Sequence, residues 1–141
     1  MSTKNLIAIV AGFVASFLLS WLVYGMLLKD TMAAGTMMGL NRPQGEFVWA
    51  AVVGGTLLKV VFFTLLLSKM GINDFKGGFM NALWIGFMVA LYYDLFLWGT
   101  SHMFNNVEPV CIDVIAASVT SALVGGVIGL MLGRGTESAT A

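Results

Sequence analysis

Four runs of about twenty apolar residues, at 5–28, 47–68, 78–100 and 110–133, account for most of the chain. Each is long enough to cross a hydrocarbon core of roughly 30 Å at about 1.5 Å of helix rise per residue. The connections at 29–46, 69–77 and 101–109 leave no length for a separate soluble domain. The predicted fold is therefore all-α: a polytopic membrane protein, a compact bundle of four transmembrane helices forming one domain over residues 1–133. A polar tail follows at 134–141.

Composition agrees. Of 141 residues, 59% are hydrophobic and 10% charged, where a soluble domain carries about 25% charged residues. Such a chain cannot cover itself with polar surface. Its formal net charge is zero, so no basic face argues for nucleic acid and no acidic tail for a cationic partner. Cys111 is the single cysteine, which removes an internal disulfide and any Cys-x-x-Cys redox centre. The first apolar run exceeds the 7–15 residues of a signal-peptide core and is expected to stay as a transmembrane helix. Lys4, Lys69, Lys76 and Arg134 fall on one side of the bundle and Lys29 and Arg42 on the other. That bias places both termini in the cytoplasm of a multi-pass inner (plasma) membrane protein.

Small residues recur at four-residue spacing in every run: Ala8, Gly12, Ser16 and Ser20; Ala51 and Gly55; Gly78, Ala82, Gly86 and Ala90; Ala117, Ser121, Gly125, Gly129 and Gly133. Residues four apart share a helical face, and small ones let helices approach closely in lipid. Gly12, Ser16, Gly55, Gly86, Gly125 and Gly129 are the expected packing positions. Stripes in all four helices also point to self-association or docking with other membrane subunits.

Continuing the stripes by one step reaches the charges. Ala51 and Gly55 lead to Lys59, Ala90 leads to Asp94, and Ala117 leads back to Asp113. Lys59 lies about 18 Å below the outer end of its run, Asp94 about 9 Å and Asp113 about 5 Å. A lysine at the bilayer centre costs roughly 2.5–3.5 kcal/mol to insert, so it is expected to pair, and Asp94 is the expected partner. A polar pocket open to the outer side, formed by Lys59, Asp94, Asp113, His102 and Tyr93, follows as the candidate site, with room for a small ligand or lipid. A metal set from His102, Glu108, Cys111 and Asp113 can be drawn, but no ligand spacing enforces it, and no metal or cofactor is expected. The first loop, with Met32, Met37, Met38 and Leu40, is expected to rest on the outer surface.

The end of the first run, Trp21-Leu-Val-Tyr24-Gly25 followed by Met-Leu-Leu-Lys-Asp and a Met-rich loop, resembles a bacterial family of small integral membrane proteins defined only as a domain of unknown function. The resemblance, which extends to four helices in about 140 residues, implies fold and membrane location and no chemistry. Small multidrug exporters rely on an acid in the first helix, where this chain has none, and membrane quinone reductases need paired cysteines. With no nucleophile–base pair and no redox centre, the chain is expected to be non-enzymatic: an accessory or interaction subunit with an outward-facing polar pocket. The alternative is a small proton-, ion- or solute-coupled transporter or channel using the Lys/Asp cluster.

Overall fold

In lipid each backbone N–H and C=O must find its partner within the segment, and the four apolar runs accordingly fold as helices. The computed structural model describes residues 2–36, 42 and 44–137. Helix α1 spans Thr3–Leu22 and continues through a wide π turn at Val23–Leu27. A short helix, α2 (Lys29–Gly35), follows. Then come α3 (Trp49–Lys69), α4 (Phe75–Thr100) and α5 (Val107–Glu137). Four of these are long and apolar enough to cross a membrane, so the all-α membrane bundle is observed. Helix α5 runs on through Arg134 to Glu137, further than the expected tail boundary. Of the loop methionines, Met32 is half-buried against the cluster of Phe104, Val110 and Val114. Met37, Met38 and Leu40 lie outside the described residues.

Local signals set the helix ends. The Ser2 side chain accepts from the Asn5 N–H at the start of α1, and Asp74 accepts from the Gly77 N–H at 2.8 Å at the start of α4. Both occupy the N-cap, where a side-chain oxygen meets an otherwise orphaned donor. The α3–α4 turn passes through Gly71 at φ 72°, left-handed backbone that favours glycine. At the other end of the bundle, the Asn105 N–H donates to the Gly35 carbonyl at 3.0 Å and its side-chain amide donates to the Ala34 carbonyl at 3.1 Å. These bonds tie α2 to the α4–α5 turn, so the first loop carries a helix of its own.

Helix α5 is the hub. Over half of its membrane-spanning window is buried, against less than a quarter for each other span. Its own surface is small on several sides at once, with Ser118, Ser121, Ala122, Gly125, Gly126 and Gly129 buried. Helix α4 packs along it for nearly its whole length, α1 and α3 take another side, and α3 and α4 barely touch. One apolar core joins Ile9, Val60, Phe63, Leu67, Val124 and Ile128; a smaller one joins Phe104, Val110 and Val114.

The stripes divide into used and unused. A β-carbon on Gly12 would come within 2.8 Å of Ile128, and Ser16 is buried. On α4 and α5, β-carbons at Gly78 and Gly129 would run into the facing backbone, at Gly86 into Ser121, and at Gly125 into Ala82. Gly55 is different: it is exposed, and a β-carbon there meets nothing within 4 Å. The stripe of α3 faces away from the bundle, because the buried face of α3 is Val60, Phe63, Thr64 and Leu67. The expectation that Gly55 packs within the chain is corrected accordingly.

Two substitutions separate these cases. Gly78→Val forces side-chain atoms against the Gly125 carbonyl and is expected to destabilise by about 3 kcal/mol or more. Gly55→Ala is expected to be neutral, or stabilising by up to about 1 kcal/mol through helix propensity. Thermal unfolding in detergent, followed by circular dichroism, checks both.

Candidate functional site

The close contact of α4 with α5 places two carboxyls. Running antiparallel, Gly78 lies over Gly125 and Gly129, Ala82 over Gly125, and Gly86 over Ser121. The same four-residue steps carry Ala90 opposite Ala117 and then Asp94 opposite Asp113. The two carboxyls interact directly there, within reach of a shared hydrogen bond. Asp94 is 3% exposed, and among the described residues its Oδ2 has no hydrogen-bond partner. From the π turn of α1, the Tyr24 hydroxyl reaches Asp113 as well. Three helices thus meet at one acid pair.

Because α3 and α4 stand on different sides of α5, a cleft of about 480 Å³ opens between them. Asp113 lies on its α5 floor, Asp94 and Tyr93 on the α4 wall, and Lys59 on the α3 wall. Ser121 apart, the rest of the lining is apolar, Phe62 and Val89 included. Lys59 is half-buried and, among the described residues, has no hydrogen-bond or ion-pair partner. The expected Lys59–Asp94 ion pair is therefore replaced by an Asp94–Asp113 pair with Lys59 elsewhere in the same cleft. Charge complementarity favoured the lysine, but the helix contact that sets the geometry is α4 on α5, not α3 on α4.

Of the five expected pocket residues, Lys59, Tyr93, Asp94 and Asp113 share the cleft. His102 does not line it; it is exposed in the α4–α5 turn, as are Glu46 and Glu108 near the same end. Among the described residues no three His, Cys, Asp or Glu side chains gather where a metal could be held. Tyr24, a polar group near the same vestibule but outside the five expected pocket residues, joins the acid pair from the π turn. The α4 and α5 stripes both end on an aspartate at the same end of an antiparallel hairpin, which was the available signal for the acid pair. No comparable periodicity marked Tyr24.

The chemical capacity of the cleft follows from these groups. Two facing carboxyls and a phenol can pass or hold a proton or grip a cation. An unpaired ammonium in the same cavity can hold an anion or a polar headgroup. No protein-family model, curated protein or solved structure matches the chain.

Lys59→Met provides the discriminating measurement. If a buried ion pair held Lys59, the change would destabilise by about 3–5 kcal/mol by stranding its partner. With no pair to break, it removes a charge that costs roughly 2.5–3.5 kcal/mol to insert at the bilayer centre. The variant is expected to unfold at a temperature equal to or above that of the parent.

Proposed function

We propose that this chain is a non-enzymatic accessory subunit of a bacterial inner membrane, with both termini in the cytoplasm, whose α3–α4 cleft is completed by another membrane component. One observation carries this reading: among the described residues Lys59 has no partner and Asp94 Oδ2 no hydrogen bond, in a cleft lined mainly by apolar side chains. Ionisable groups within the membrane are paired or line a water-filled cavity. A partner that brings a polar group to the cleft would answer both vacancies. It could be a second copy of the chain, a helix of another subunit, or a small ligand or lipid. The bias of Lys4, Lys69, Lys76 and Arg134 to one end and Lys29 and Arg42 to the other supports the orientation.

A second reading is favoured by the acid pair itself. Two carboxyls and an ammonium border one cleft, and ionisable groups at membrane depth mark proton and ion pathways in transporters. Such a set suits a small transporter that couples a proton or ion to a solute.

Purification from native membranes in mild detergent, alongside flux assays in proteoliposomes, separates the two. The accessory role predicts a stoichiometric companion that is lost in Lys59→Met and Asp94→Asn while both variants stay folded, with no flux from the parent protein. Flux by the parent that falls at least roughly tenfold in Asp94→Asn and Asp113→Asn, a loss of about 1.4 kcal/mol, would replace the accessory role with transport.

A further inference from the structure

A second cavity, larger than the cleft, lies between the end of α1 and the start of α3. Helices α1 and α3 touch closely only at one end of the bundle. There the Ser68 hydroxyl donates to Asn5 Oδ1 at 3.4 Å and Gly12 packs against Val60. Beyond Gly12 the helices part, and α3 has no buried residue between Trp49 and Lys59. The gap is a cavity of about 890 Å³, bounded by the end of α1, by α2 and by the start of α3.

The lining of this cavity is sorted by chemistry. Its apolar part includes Phe17 and Val52, along the diverging faces of α1 and α3. Trp49 flanks it at the level where α3 meets the loop, the depth of lipid headgroups, where indoles are favoured, and Trp21 lies deeper, just before the π turn that ends the first span. Lys29 and Arg42 supply its charge. Both are exposed, and neither is paired among the described residues. No Asp or Glu is among the side chains that line it.

We infer that this cavity binds an anionic phospholipid, with Lys29 and Arg42 on the headgroup phosphate and an acyl chain along the groove between α1 and α3. The two cations lie beside the ends of membrane spans, where a phosphate would sit, and the groove below them is apolar and of lipid dimensions. With two cations and no carboxylate among its described lining side chains, the cavity favours a headgroup with net negative charge; a choline ammonium would meet aromatic faces such as those of Trp21 and Trp49 instead. This cavity shares no lining residue with the α3–α4 cleft, although Tyr24 lines it while its hydroxyl reaches Asp113, and the assignment does not depend on the role proposed for the cleft.

The test uses the full chain, equilibrated in vesicles of equal phosphatidylglycerol and phosphatidylcholine, extracted in mild detergent and weighed intact by native mass spectrometry. Phosphatidylglycerol is expected to remain bound in preference to phosphatidylcholine. Lys29→Gln with Arg42→Gln is expected to weaken its retention by roughly 30-fold, the effect of two membrane-surface cations. Val52→Trp fills the groove while leaving both charges, and is also expected to lower retention. Lys4→Gln with Lys76→Gln removes the same charge from the far end and is expected to change nothing. Equal retention of the two lipids, or undiminished phosphatidylglycerol in both cavity variants, overturns the assignment. Displacement of the lipid by millimolar inorganic phosphate also overturns it, in favour of a soluble anion.

Discussion

The backbone-to-backbone contact of α4 with α5 is the constraint from which the other features follow. Lipid tails are as apolar as the side chains they would replace, so helices in a bilayer gain little from apolar burial and associate through close packing. Here glycine and alanine at four-residue steps remove the side chains that would hold the helices apart, and Gly78 approaches Gly125 and Gly129 with no room for a β-carbon. Contacts this close admit one register. A slip along the hairpin would set Ala82 or Ser121 against a facing backbone. Asp94 and Asp113 are thus brought together by packing several turns away.

The same contact explains the cleft. With one side of α5 occupied by α4, α1 and α3 are left another side, and α1 reaches it through Gly12 against Ile128. Helix α3 packs against α1 and α5 through Val60, Phe63, Thr64 and Leu67 and cannot also reach α4. The space between α3 and α4 is a consequence of the hub arrangement, and the polar groups that border it come from three different helices. The two apolar cores lie in different parts of the bundle, so the acid pair has fixed helices on each side of it along the chain.

The number of spans, their approximate limits and the small-residue faces of α1, α4 and α5 were legible in the sequence, because a bilayer imposes a length and close packing imposes a four-residue period. The error at Lys59 came from treating all four stripes as facing one interior. Three of them do. The stripe of Ala51 and Gly55 is exposed, since bulky Val60, Phe63 and Leu67 supply the packing face of α3. Composition alone could not decide between a small face and a large one on the same helix; the available space beside α5 decided it. Opposite charges on neighbouring runs then suggested a pair that the helix order does not permit. The contact of Tyr24 with Asp113 was out of reach for another reason: it depends on the π turn at Val23–Leu27, and no residue in that segment announces a wide turn.

The position of Lys59 gains a physical rationale from the two cavities. It immediately precedes Val60, the first fully buried residue of α3, and follows a stretch from Trp49 to Leu58 that is nowhere buried. The charge therefore marks the boundary at which α3 leaves the packed bundle. A lysine further along α3 would face either the apolar core or the hydrocarbon. At this boundary its stem can lie along the cleft wall while the ammonium extends toward the more polar end, the disposition that makes long cationic side chains tolerable at membrane depth. The unpacked part of α3 also walls the larger cavity beside α1 through Trp49, Val52 and Thr56, and reaches the cleft at Leu58. The intramembrane lysine and the exposed Gly55 stripe are thus two consequences of one fact: α3 is held by the bundle along only part of its length.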